Sequence, residues 1–309
     1  MDLTNQRKLK IVLAIDGSEN AEAAVRILQD LPIPAGSLLA LVSVVVPRDA
    51  SSYTELEDLL SLTVRRFFGK RLRITSDLLT GFPTNALTEF IGQHKPDFVV
   101  LGAGDSHGSF SLLVGNLAQY LIQQIDCPLL IARAPYTGLY RILLATDDSE
   151  SGQKAIDWLG RFPIPSDSEI RLVHVLSPDT PGSFFSRLWA RVREGIQAIP
   201  VTQEVENPNQ ELREQTGLNL LEGATRRLRG DNGTKESQDT TFIKVLAHGD
   251  PAQRVLSYAD LHGMDLIVAG TKGQFELRNL VKGDVSRKIL HYADCSVLIV
   301  KSSCPPENH

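Results

Sequence analysis

The chain has 309 residues, 42% of them hydrophobic and 22% charged, which is a globular composition with room for two domains of ordinary size. A net charge of −5 argues against bulk binding to nucleic acid or to an anionic membrane surface. The three cysteines, Cys127, Cys295 and Cys304, are odd in number and too far apart for a ligand cluster, so a reducing, cytoplasmic compartment is expected rather than a disulfide framework.

The chain opens on a polar stretch, and the apolar run 11–15 ends at Asp16, too short for a signal-peptide core or a membrane span. Residues 11–15, 38–46, 98–101 and 129–131 are short runs rich in Val, Ile and Leu. Continuous apolarity of that length predicts strands buried on both faces of a parallel sheet. Helices are predicted between them. One spans 19–31 after the N-cap candidate Ser18, one spans 84–94 after a helix-starting proline, and one spans 117–125 after Gly115 and Asn116. A short linker at 133–140 carries Pro135 and Gly138. Strands then recur at 142–146, 170–175, 241–247, 266–269 and 297–300.

The recurrence is a repeat. Asp16-Gly-Ser18 and Asp147-Asp-Ser149 close similar apolar runs 131 residues apart, and Leu41-Val-Ser-Val44 matches Leu172-Val-His-Val175 at the same spacing. From Gly81 and Gly249 onward the spacing is 168. It holds for Asp97 to Gly102 against Asp265 to Gly270, for Gly115 against Gly283, and for Asp126-Cys127 against Asp294-Cys295. The second copy therefore carries 37 additional residues. Leu59-Leu60 with Arg65-Arg66 matches Leu220-Leu221 with Arg226-Arg227 at a spacing of 161, which places 30 of them upstream of that helix and 7 near 230–239. Alternating strands and helices predict two tandem doubly wound α/β domains of about five parallel strands each, over 1–135 and 139–303.

Open parallel sheets bind ligands at the carboxyl ends of their strands, at the topological switch point. In each unit that edge holds an aspartate after the first strand (Asp16, Asp147), the end of the second strand (Val44, Val175) and a glycine-bearing loop after the fourth. In the second unit the loop reads Gly270-Thr-Lys272-Gly273, nine residues, then Gly283-Asp284-Val-Ser286.

This pattern resembles that of the universal stress protein family, whose nucleotide-binding members carry Gly, two residues, Gly, nine residues, Gly and then Ser or Thr. The resemblance covers nearly the whole chain apart from the insertion. It implies an adenine nucleotide such as ATP, with Mg2+ as a possible companion. Asp147 would accept from the adenine, Ala145, Val175 and Ala269 would line its pocket, and Gly270, Lys272, Gly273, Gly283 and Ser286 would surround ribose and phosphates. Glycines admit backbone N–H groups to phosphates, and a helix N-terminus favours an anion. Asp284 departs from the pattern: a carboxylate stands where a Ser or Thr would contact phosphate. It suits an N-cap and repels a polyphosphate unless Lys272 or a metal ion offsets it. The first unit departs further. Gly102-Ala-Gly104-Asp105 lacks the second glycine, and Asn116, another N-cap candidate, follows Gly115. Its weaker candidate positions are Asp16, Val44, Gly102, Gly115 and Asn116. The resemblance also implies that 127–133 and 295–301 pair within the chain as a pseudo-dimer, leaving a further homodimer open.

Plainer readings stand beside these. Asp16 and Asp147 also suit the turn between a strand and a helix, and Cys127 and Cys295 suit buried small positions. His174 fits a strand interior or a pocket edge better than a base. The cluster Arg226, Arg227 and Arg229 fits a solvated helix face. The insertion near 177–207 places Phe184, Phe185, Leu188 and Trp189 on one helical face and Arg187, Arg191 and Arg193 on the other. It either packs on its own domain, meets a protein partner or second copy, or lies on a membrane surface. No nucleophile, base or metal spacing points to catalysis. Two classes of function remain: a stress-response regulator that binds an adenine nucleotide, mainly in the second unit, and an interaction module with no nucleotide. A weak hydrolase lacks an identifiable base.

Overall fold

The computed structural model describes residues 7–46, 51–104, 111–177, 208–230, 240–271 and 285–301. The first unit runs β1 (Lys10–Ala14), α1 (Glu19–Asp30), β2 (Leu38–Val45), α2 (Ser51–Arg66), β3 (Arg73–Thr80), α3 (Pro83–His94), β4 (Phe98–Gly102), α4 (Ser111–Gln124) and β5 (Leu129–Ala132). The second runs β6 (Arg141–Ala145), α5 (Glu150–Leu159), β7 (Glu169–Leu176), α6 (Pro208–Arg229), β8 (Thr241–His248), α7 (Pro251–Leu261), β9 (Leu266–Thr271), α8 (Val285–Tyr292) and β10 (Ser296–Lys301).

All ten strands form one sheet in the order β3-β2-β1-β4-β5-β10-β9-β6-β7-β8. Each unit contributes five parallel strands, and the units join where β5 meets β10 antiparallel, Leu130 opposite Leu298. The predicted pairing of the two last strands is thus present within the chain. Alternate residues along a strand enter opposite cores: Ile11 and Leu13 face the layer of α1, α2, α5 and α6, while Val12 faces that of α3, α4, α7 and α8. The first of these cores crosses the junction. Phe98 of the first unit meets Trp158 and Phe162 of the second edge-on, at centroid distances of 5.6 and 5.5 Å.

The local signals act as expected at the helix starts. Ser18 and Ser149 cap α1 and α5, their Oγ atoms accepting from the Ala21 and Gly152 amides at 3.1 Å. Each such cap contributes about 1 kcal/mol. Gly81 and Gly249 adopt φ of 140° and 132° before the prolines that begin α3 and α7. The match between α2 and α6 also holds in space. Leu60 and Leu221 are buried in the same core, and Arg66 pairs with Glu22 on α1 where Arg227 pairs with Gln153 and Asp157 on α5.

The structure corrects two readings. Helix α4 begins at Ser111, six residues before the expected start, so Gly115 and Asn116 lie inside it and Asn116 is not its cap. Nothing from Leu112 to Val114 breaks a helix, and an interior glycine costs only about 1 kcal/mol relative to alanine. The arginines of α6 are exposed but not merely solvated: Arg227 binds α5, and Arg229 lies over the Phe242 ring at 5.3 Å. The inserted segment, Cys304, and the residues of both glycine-bearing loops at 105–110 and 272–284 lie outside the described residues. Among the described residues no helix is long and apolar enough to cross a membrane.

Candidate functional site

In the second unit β6 lies between β7 and β9. The chain leaves β6 toward β7 and returns on its other side as β9, so the switch point falls at the carboxyl ends of β6 and β9. Ala145 pairs with Ala269 across that gap and with Val173 on the other side, and Val175 follows two residues on at the rim. The structure brings Ala145, Val175 and Ala269 into one apolar cluster on the face of α7 and α8. Asp147 is exposed just beyond, with Oδ1 accepting from the Ser149 amide at 3.1 Å and from the Ser149 hydroxyl. The aspartate orients the serine, and the serine caps the helix. Asp16 and Ser18 repeat this in the first unit, at 3.1 and 2.7 Å.

Gly270 has a steric reason to be glycine. A Cβ there would lie 2.4 Å from the Ser151 carbonyl oxygen, and one on Gly102 would lie 2.5 Å from the Ala21 amide nitrogen. In both units the first turn of the first helix is seated against the end of the fourth strand. Ser286, in the first turn of α8, is buried and donates to the Gly270 carbonyl at 3.1 Å. Two helix N-termini, of α5 and α8, therefore converge beside Gly270, with the partial positive charge of their dipoles directed at the rim. Lys272, Gly273, Gly283 and Asp284 fall outside the described residues; α8 starts directly after them at Val285.

The first unit has the same frame with a different lining. Val44 and Ala14 pack in the equivalent apolar cluster. Asn20, however, is buried where the second unit has Ser151. Its Nδ2 donates to the Ala103 carbonyl at 2.8 Å, and its Oδ1 accepts from the Ala134 amide at 2.8 Å. The amide thus ties α1, the end of β4 and the linker together beside Gly102. Gly115 and Asn116, inside α4, do not join this arrangement as helix-start residues.

Sequence reasoning passed over Asn20, and also Arg133 and Lys301, which close the last strands and stand 168 residues apart. That shared spacing was the available signal. His174 serves the frame: Nδ1 lies 3.0 Å from the Thr146 carbonyl, as the Ser43 hydroxyl lies 2.7 Å from that of Ile15. Asp250 caps α7, and the Gln253 amide, together with Lys288, lowers its pKa. Cys295 is half-buried, and desolvation pushes its thiol up to about 11, which makes it an inert thiol. Among the described residues no group of three His, Cys, Asp or Glu is placed to hold a metal ion.

A sequence model of the Universal stress protein family matches residues 9–133 and, separately, 139–301. Universal stress protein YxiE of Bacillus subtilis is 29% identical over 163 residues, covering 52% of this chain and 98% of its own. Universal stress protein MJ0577 of Methanocaldococcus jannaschii is 26% identical over 165 residues, covering 52% of this chain and 94% of its own. These relatives are about as long as one unit. A solved universal stress protein from Archaeoglobus fulgidus superposes with a TM-score of 0.58 at 14% identity, over 95% of this chain and 98% of that one. A putative universal stress protein structure from Pseudomonas aeruginosa gives a TM-score of 0.56 at 15% identity, over 97% and 94%. Likeness at these identities speaks to the fold.

Proposed function

Because this chain belongs to the universal stress protein family, with both halves matching, we propose that it is a stress-response regulator that binds an adenine nucleotide in its second unit. The observation that carries the reading is the convergence beside Gly270. The α5 N-terminus is seated on that glycine, Ser286 at the α8 N-terminus is bonded to its carbonyl, and the apolar trio Ala145, Val175 and Ala269 lies at the same edge. An apolar wall beside two helix N-termini suits a flat base joined to an anionic tail. In this reading Asp147 accepts from the base, Lys272, Gly273 and Gly283 surround the phosphates, and Asp284 disfavours long phosphate chains unless Mg2+ accompanies them. The role is binding rather than turnover.

Asn20 favours a different role for the first unit. Its buried amide already occupies the Ala103 carbonyl and the linker amide, so that crevice serves as an anchor for the linker.

Calorimetric titration of the nucleotide-stripped protein with ATP, ADP and AMP, with and without Mg2+, tests both statements. One site per chain is expected, with the preference moving toward ATP in Asp284→Ser and binding lost in Asp147→Ala. No heat from either the parent protein or Asp284→Ser would remove the nucleotide and leave an interaction module.

A further inference from the structure

We propose that Arg133, in the first unit, is a positioning residue of the second unit's crevice: it fixes the far end of the helix that carries Ser286. Arg133 follows β5, and its Nη2 donates to the Leu290 carbonyl at 2.6 Å, in the last turn of α8. Its own amide donates to Ser296 Oγ at 3.2 Å, which locks the arginine backbone to β10. Helix α8 has eight residues. Ser286 and Leu290 are four apart, one turn and about 6 Å along the axis. One turn therefore holds both attachments: the Ser286 hydroxyl on Gly270, and the Leu290 carbonyl on the arginine.

Burying the guanidinium here is costly, because Arg133 Nε is buried without a hydrogen-bond partner among the described residues. The pseudo-symmetric counterpart sharpens the contrast. Lys301 reaches the end of α4 in the same way, with Nζ 2.5 Å from the Ile125 carbonyl, but α4 carries Ala118 at the position of Ser286 and has no hydroxyl to place there. Among the described residues, the Arg133 clasp holds a helix whose first-turn hydroxyl, on Ser286, is bonded to Gly270 at the rim of the crevice. Ser286 has a single O–H to donate, so engaging a phosphate means releasing Gly270. The position of α8 sets how easily that exchange occurs, and Arg133 sets the position of α8.

The proposal rests on the crevice reading only for its ligand. It is tested first without one, by a double-mutant cycle of Arg133→Met and Ser286→Ala followed by urea unfolding of the full chain. The expected result is non-additivity of about fivefold in the folding equilibrium constant, falling away when Arg133→Lys, which keeps a donor for the Leu290 carbonyl, replaces the methionine variant. Additive effects would overturn the proposal, because a purely interfacial arginine would not sense the serine. ATP titration then separates the two readings. In a nucleotide-binding parent protein, Arg133→Met should weaken affinity about tenfold while Arg133→Lys restores most of it. An unchanged affinity overturns the positioning role. A parent protein that binds nothing while the cycle remains coupled overturns the nucleotide and leaves the positioning of α8 in place.

Discussion

Lys301, in the last strand of the second unit, places its Nζ 2.5 Å from the carbonyl oxygen of Ile125, just past the end of helix α4 in the first. The Gln123 carbonyl lies at 3.4 Å and the Asp126 carboxylate at 3.8 Å, and the lysine side chain is only 4% exposed. A buried cation at a helix C-terminus satisfies orphan carbonyls and opposes the helix dipole. Lys301→Met keeps the stem and removes the ammonium, so carbonyls at the end of α4 lose their donor. The expected loss is about 1–3 kcal/mol, read as a lower urea midpoint.

Gly270→Ala places a methyl 2.4 Å from the Ser151 carbonyl oxygen, so α5 must move away from β9. A loss of about 1–3 kcal/mol is expected from that overpacking. Gly223 is the control. It lies inside α6 with nothing within 4 Å of its would-be Cβ, and alanine there should stabilise by about 0.5–1 kcal/mol. Thermal unfolding of the two variants should shift in opposite directions.

Ser149→Ala removes the cap of α5 and the hydroxyl that donates to Asp147, leaving the residue-149 amide on that carboxylate. Chemical unfolding should show a loss of about 0.5–2 kcal/mol. Ser149→Asp, which still accepts from the Gly152 amide, should recover part of the cap while placing a second carboxylate beside Asp147.

Glu22 has its pKa lowered from 4.5, first by the hydrogen bond from Arg66 and then by Arg26, against the opposing effect of burial. Asp250 is lowered from 3.8, first by the Gln253 amide. A carboxylate depressed in the folded state adds stability above its unfolded pKa and loses it as pH falls through the folded one. The protein should therefore lose stability on acidification below about pH 4.5, and Glu22→Gln should lower stability at neutral pH and flatten that acid slope, leaving the slope of the neutral-to-alkaline range unchanged. Unfolding midpoints measured across the acid range check the sign.

Desolvation raises the Cys295 thiol to about 11, although Arg133 pulls the other way. At pH 8 the thiolate is scarce, so peptide mass spectrometry after brief alkylation should find Cys295 unmodified in the native protein and modified in urea. Rapid native labelling would mean that the junction around Arg133 opens.

The buried strands were legible because the chain must satisfy two cores at once. Residues 11–15 and 142–146 read as continuous apolar runs because neighbouring side chains enter opposite layers of helices. Strands β3 and β8, at the two edges of the sheet, gave a fainter signal: Arg73–Thr80 is largely polar and half-exposed, so only the strand count of the unit anticipated it. Gly115 and Asn116 misled for a related reason. A glycine followed by an asparagine has the composition of a helix start, yet the turn before them is equally able to be helical.

The sequence alone determined the repeat, the parallel α/β architecture, the Ser18 cap and the positions of Asp147, Val175 and Gly270 at one edge. All of these follow from periodicity and from residue types with strong local preferences. Only the tertiary structure decided what the polar residues at the junctions do. Asn20 turns inward to hold the linker, Arg133 and Lys301 each cross to the C-terminal end of a helix in the other unit, and Gly270 is glycine because Ser151 lies against it. Each of those contacts joins residues far apart in the chain, where a hydrogen bond or a steric limit depends on distance in space and leaves no local pattern to read.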